Sequence, residues 1–155
     1  MTIFLVRHAK AGSRSQFDGP DWLRPLTPPG QQQARGLLTL FQRAKFEHII
    51  SSPYVRCMET VVPLASHHRL AVEPHDALAE GSHIEAVVDL IDQHIDAGVV
   101  LCSHGDIIPM ALAHFKTLGV KIHGDGQCEK GSTWVIEGAL NRSAAAEYWS
   151  PPIAD

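Results

Sequence analysis

Two short runs, residues 3–6 and 99–102, are apolar at every position, with no polar alternation. A strand of that kind must be covered on both faces, which is the condition of inner strands in a parallel sheet flanked by helices. Both runs end in a histidine: Arg7-His8 follows the first, and Ser103-His104-Gly105 follows the second. In open α/β sheets, ligands bind beyond the carboxyl ends of the strands. Two histidines at two such ends, with arginines between them in sequence, point to a shared anion site capable of covalent phosphoryl chemistry.

The rest of the chain reads as alternating strands and helices. Further strands are expected at 48–51, 70–73, 133–137 and 145–149, the last two joined by a turn near 138–141. Thr27-Pro28 opens a helix, with a hydroxyl cap and proline at the first helical position. Ala34, Leu37, Leu38 and Phe41 follow at helical spacing. Ser52-Pro53 repeats that signal and predicts a helix to about residue 68, kinked or ended early by Pro63. Ile84, Val87, Val88, Ile91 and Ile95 form a third stripe, closed by Gly98. A fourth helix is expected over about 106–118, with Ile108, Ala111, Leu112 and Phe115 inward. Residues 9–26 and the glycine-rich stretch 119–131 read as loops, and the tail 151–155 as loose. The pattern predicts one domain over 1–155, a three-layer α/β/α sandwich whose mainly parallel sheet gains an antiparallel edge from the last two strands.

Length and composition permit such a fold: 155 residues, 45% apolar and 19% charged, enough for a real core. No apolar run approaches a membrane span and no signal-peptide pattern is seen. Three widely spaced cysteines argue against a disulfide framework and for a reducing, cytoplasmic setting. Net charge is −4, so neither a nucleic-acid polymer nor a membrane is an expected partner. The charge is unevenly spread. Residues 1–56 carry +5 and residues 57–155 carry −9. If Arg7, Lys10, Arg14, Arg24 and Arg56 converge, an acidic protein holds a cationic pocket suited to a small anion. The sequence does not specify an oligomeric state.

Phosphoryl transfer needs a nucleophile in line with the leaving group and positive donors on the equatorial oxygens. His8 can be the nucleophile, because imidazole is substantially neutral near pH 7. Arg7, Arg56 and His104 can supply the donors, with Arg56 on the first turn of a helix whose amino end also favours an anion. Arginine presents a planar fork that grips two phosphate oxygens at once. No metal or other cofactor is then required. A leaving alkoxide needs a proton, for which Glu80 is the first candidate and Asp76 and Glu85 are competitors. Lys10 and Arg14 are candidate substrate contacts. Arg24 is expected to buttress the pocket, paired with Asp18 or Asp21. The other histidines (His48, His67, His68, His75, His83, His94, His114, His123) show no metal-ligand spacing and read as surface or core residues. The stretch Gly126 to Thr133 superficially resembles a phosphate loop. It is rejected because Lys130 precedes Gly131 and a strand rather than a helix follows.

Four segments, in order and across nearly the whole chain, resemble the histidine phosphatase, or phosphoglycerate mutase-like, superfamily. They are Leu5-Val6-Arg7-His8-Ala9, Ser51-Ser52-Pro53-Tyr54-Val55-Arg56, Leu78-Ala79-Glu80-Gly81 and Cys102-Ser103-His104-Gly105-Asp106. Arg24-Pro25-Leu26-Thr27-Pro28-Pro29-Gly30 resembles its short SixA-type phosphohistidine phosphatase branch. Residues 7–14 are also similar to the phosphatase-like domain of some Nudix hydrolases. The resemblance implies a phosphoglycerate mutase-like fold. It implies that His8 takes the phosphoryl group, that Arg7, Arg56 and His104 hold it, and that water then releases it. The expected partner is a phosphorylated small molecule, a nucleotide among them, or a phosphohistidine protein. A phosphomutase and a non-catalytic phosphate-binding module are the alternatives. The chain departs from the family pattern in having Ala9 where glycine is usual. Because alanine resists positive φ, the loop is expected to turn within ordinary backbone space. The short branch can lack the acid, and a phosphohistidine substrate would make Glu80 dispensable.

Overall fold

Residues 3–6 and 99–102 lie side by side in the centre of a mixed sheet. The structure, a computed structural model, describes residues 1–94 and 96–153. The strands are β1 (Thr2–Arg7), β2 (His48–Ser51), β3 (Val72–Pro74), β4 (Val99–Ser103), β5 (Lys121–His123), β6 (Thr133–Glu137) and β7 (Ala145–Trp149), in the order β3-β2-β4-β1-β6-β7-β5. The helices are α1 (Pro28–Leu40), α2 (Val55–His68), α3 (Ile84–Asp92) and α4 (Ile107–Thr117). Short 3-10 turns occupy Asp21–Leu23 and Asp76–Leu78.

The unbroken apolar character of β1 and β4 is explained by the layers on either side. Phe4, Val6, Val100 and Cys102 pack with Leu37 and Phe41 of α1 and Cys57, Val61 and Leu64 of α2. Ile3, Leu5, Val99 and Leu101 face the opposite way, onto Val87, Leu90 and Ile91 of α3 and Ile108, Ala111, Leu112 and Phe115 of α4. Successive strand residues point to opposite faces, so one helix pair covers each face and the three-layer α/β/α sandwich holds. Among the described residues no helix is long and apolar enough to cross a membrane.

Several local expectations change. The antiparallel component is β6, which lies inside the sheet between β1 and β7 rather than at its edge. The edge is β5, three residues within the stretch expected to be loop, pairing parallel with β7. The signal was weak because β5 is short and two of its three residues are exposed. α2 begins at Val55, after Tyr54, so Ser52-Pro53 is not its cap, and the helix runs through Pro63 to His68. α3 stops at Asp92, short of Gly98, and Ile95 lies outside the described residues. Gly98 instead sits where a Cβ would meet the Lys45 backbone. The cap at α1 is as expected, with Thr27 Oγ1 accepting from Gly30 N–H at 3.2 Å. Within the tail, residues 154–155 fall outside the described residues; Gly36 lies close against Pro152.

Candidate active site

The carboxyl ends of β1, β2 and β4 meet at one point. Arg7 is in register with Ser103 on β4. His8 N–H donates to Ser103 O at 3.0 Å, and Ser52 N–H donates to Cys102 O at 2.9 Å. This knitting brings His8, Ser52 and His104 together. The His8 and His104 rings lie 5.5 Å apart between centroids. Arg7, His8, Arg14, Arg24, Arg56, Glu80, His104, Asp106 and Lys130 line a cleft of about 400 Å³ there. A larger cleft, of about 660 Å³, lies at α4 and β5 and is lined by none of Arg7, His8, Arg56 and His104.

His8 is 5% exposed. Its Nδ1 is 2.8 Å from the Ala9 carbonyl oxygen. A carbonyl can only accept, so Nδ1 carries the proton and Nε2 keeps its lone pair. Burial, with the neighbouring charges of His104, Arg56 and Arg7, lowers the His8 pKa to about 3 against the opposing effect of the Ala9 hydrogen bond. The ring is therefore neutral at physiological pH, the form a nucleophile needs. Ala9 takes up its position without strain: among the described residues Arg69 is the one non-glycine at positive φ. The Ala9 N–H donates to Thr60 Oγ1 at 2.9 Å, and its methyl packs with Leu26 and Ala34.

His104 is oriented from behind. Ser52 Oγ accepts from Tyr54 N–H at 3.2 Å and lies 2.8 Å from His104 Nε2. The serine hydroxyl can donate to Nε2, and when it does the His104 proton sits on Nδ1. That Nδ1 is buried with no partner, as are the Nε atoms of Arg7 and Arg56. Unpaired buried donors are costly and rare in folded proteins. Three of them at one cleft match an anion with several acceptor oxygens.

Arg56 is 1% exposed and stacks on Tyr54, its guanidinium carbon 4.9 Å from the ring centroid. Its Nη2 donates to Asp21 Oδ2 and Glu80 Oε2, each at 3.2 Å. Arg14 Nη2 donates to Glu80 Oε1 at 2.9 Å, so Glu80 is bridged by two guanidiniums. The Glu80 loop is fixed by Gly81 N–H, which donates to Asp106 Oδ2 at 2.8 Å. Arg24 is buried and has the expected buttressing geometry, with Nε donating to Asp21 Oδ1 at 2.9 Å and Nη1 donating to Gly12 O. Burial pushes the Asp21 pKa up, but the Arg24 hydrogen bond and the charges of Arg56, Arg24 and Arg14 outweigh it and hold the carboxyl below its usual range.

Lys10 stands apart from the expected convergence. Its side chain borders a separate cleft with Gln33, Glu129, Lys130, Pro151 and Pro152. Its backbone is committed, the N–H donating to Gln33 Oε1 at 2.9 Å and the carbonyl accepting from Thr27 N–H at 3.0 Å. Lys130 takes the place foreseen for a further cation. The glycine-rich segment that carries it returns over β1, where Gly131 N–H donates to His8 O at 3.0 Å and Arg7 Nη1 donates to Cys128 O. Desolvation, then the charges of Arg7, Arg24, Arg56 and Arg14, lower the Lys130 pKa. Ser52, Tyr54 and Lys130 are not among the expected site residues. Ser52 and Tyr54 lie in the segment 51–56 that carries the family resemblance, and Lys130 in the stretch rejected as a phosphate loop.

This geometry defines a cationic anion site around a neutral histidine on an α/β/α sheet. The chain belongs to the histidine phosphatase superfamily (branch 1), whose sequence signature matches residues 3–85. It is 31% identical over 157 residues to an 8-oxo-(d)GTP phosphatase of Mycolicibacterium smegmatis, covering 97% of this chain and 48% of that protein. The chain thus spans about half the length of that curated relative. In fold it is similar to the protein histidine phosphatase SixA complexed with tungstate, with TM-score 0.73, 19% identity and coverage of 99% and 97% of the two chains. It is also similar to the alpha-ribazole phosphatase of Shigella flexneri, with TM-score 0.73, 15% identity and coverage of 98% and 96%.

Proposed function

We propose that this protein is a metal-independent phosphatase that works through a covalent phosphohistidine on His8. The observation that carries the proposal is the His8 tautomer: Nδ1 is spent on Ala9 O at 2.8 Å, and Nε2 is free in a cleft with three unpaired cationic or imidazole donors. In the first step the Nε2 lone pair attacks phosphorus and the bond to the leaving oxygen breaks. Arg7, Arg56 and His104 Nδ1–H hold the equatorial oxygens, where charge is concentrated in the transition state. Glu80 delivers the proton to the leaving oxygen. In the second step water attacks the phosphoryl group, its proton passes to Glu80, and inorganic phosphate departs from a regenerated His8.

In the ligand-free structure Arg56 and Arg14 both donate to the Glu80 carboxylate. An arriving phosphate competes for Arg56 and releases that carboxyl to carry a proton to the leaving oxygen. A phosphohistidine substrate depends less on this proton, because imidazole is a better leaving group than an alkoxide. The substrate class is a phosphate monoester or a protein phosphohistidine. The M. smegmatis relative is an 8-oxo-(d)GTP phosphatase, which adds the terminal phosphoanhydride of a nucleotide to the candidates, and Arg14 and Lys130 in the cleft lining are suited to additional phosphate charge. The free thiols of Cys57, Cys102 and Cys128 fit a reducing, cytoplasmic setting.

Hydrolysis of an aryl phosphate in excess chelator tests the reading. Wild-type turnover is expected to persist, and His8→Ala is expected to lower it by about 10⁴-fold or more. Undiminished activity of His8→Ala would overturn the nucleophile assignment. Loss of wild-type activity in chelator would overturn the metal-free mechanism.

A further inference from the structure

At the opposite end of β2 from the phosphate cleft, three side chains converge that the phosphatase reading does not use. His48 is the first residue of β2, Glu73 belongs to the edge strand β3, and His94 lies just beyond α3. One potential ligand atom from each lies within 4.8 Å of the other two. The His48 and His94 rings are 5.1 Å apart between centroids. His48 Nδ1 is 3.8 Å from Glu73 Oε2, too far for a hydrogen bond. His94 Nδ1 is 2.9 Å from the Leu90 carbonyl, so that nitrogen carries the proton and Nε2 keeps its lone pair. A backbone hydrogen bond of this kind is how metal-binding histidines are held in the correct tautomer.

We propose that His48, Glu73 and His94 form a surface site for a divalent metal of the zinc type. Two imidazole nitrogens and one carboxylate are a zinc donor set and a poor magnesium or calcium set, since the latter require oxygen. Tetrahedral zinc separates its ligand atoms by about 3.3 Å, so small side-chain rotations bring the three into place. The fourth position is left to water, because His48 and Glu73 are substantially exposed. Spacing could not reveal the site, since the ligands come from three separate elements and follow no local motif. Bound metal would tie the turn after α3 to the sheet edge at β3. It is remote from His8, and the proposal stands or falls independently of the phosphatase mechanism.

Chelator-treated protein titrated with Zn²⁺ by calorimetry, with thermal unfolding in parallel, tests this. Wild type is expected to bind one equivalent with a Kd of about 10 μM or tighter and to gain thermal stability on binding. His94→Ala, His48→Ala and the exposed-site change Glu73→Gln should each weaken binding by about tenfold or more and reduce the thermal shift. His8→Ala should bind zinc as wild type does, which separates this site from the imidazoles of the cleft. Mg²⁺ should give no heat and no shift. Absence of one-equivalent binding in wild type would overturn the proposal. So would unchanged affinity in Glu73→Gln and His94→Ala, or binding that disappears in His8→Ala.

Discussion

His8 Nδ1 lies 2.8 Å from the carbonyl oxygen of Ala9, its own chain neighbour. That contact fixes which nitrogen of the ring can react. It also favours the imidazolium, an effect that burial outweighs. The neutral ring keeps its hydrogen bond, whereas the imidazolium would sit buried beside Arg7, Arg56 and His104.

The pH dependence follows from this burial. The His8 pKa is about 3 in the folded protein, against an ordinary value near 6.5 in the unfolded chain. As pH falls, the unfolded state therefore takes up the proton first, and the folded state loses relative stability. The His8 contribution is complete above about pH 6.5 and is eroded as pH falls toward 3. In histidine NMR spectra of the ligand-free protein, His8 is expected to stay in the neutral Nδ1–H form from pH 8 to 5. A midpoint near 6.5 for this ring would contradict the assignment.

Glu80 separates substrate classes. Glu80→Gln keeps the shape but removes the transferable proton. On an alkyl phosphate, kcat is expected to fall by about 10²-fold or more. On a phosphohistidine peptide the first step, read as the rate of label transfer to His8, should change by no more than about threefold, because the leaving imidazole depends little on a protein acid, whereas hydrolysis of the intermediate should slow equally on both substrates. Equal and negligible effects on both substrates would remove Glu80 from the mechanism.

Gly105 follows His104 because Arg7 lies against it. A Cβ there would stand 2.8 Å from Cζ and Nη2 of Arg7 and 3.1 Å from Nε. The guanidinium is held on its other side by Cys128 O, so Gly105→Ala should displace it. The expected result is a loss in kcat/KM of about 10²-fold with a stability change of no more than about 1.5 kcal/mol, the scale of one forced rotamer. Wild-type kinetics in this variant would show that Arg7 does not position the substrate.

The parts of the fold that were legible in the sequence are those whose signal is local. β1 and β4 announced themselves because both faces are buried, and Thr27 because a cap and a proline sit together. Ser52-Pro53 carried the same local signal and misled, because the Ser52 hydroxyl is engaged by His104, 52 residues away in sequence. β5 was illegible because an exposed three-residue strand acquires its identity only by pairing with β7. The position of β6 inside the sheet is likewise a matter of long-range pairing. Of the candidate cations, Arg7, Arg14, Arg24 and Arg56 line the cleft, whereas Lys10 is turned to a neighbouring one. Lys130 joins the cleft through hydrogen bonds from Gly131 back to Arg7 and His8, a contact no spacing rule could supply.

The phosphorylated intermediate itself can be caught. Rapid quenching of the protein with a ³²P-labelled substrate into alkali, followed by peptide mapping, should yield label on the peptide containing His8. The label should be stable to base and labile to acid, as expected of phosphoramidate, and absent from His8→Ala. Label on another residue, or full turnover with no labelled protein at any quench time, would contradict covalent catalysis by His8.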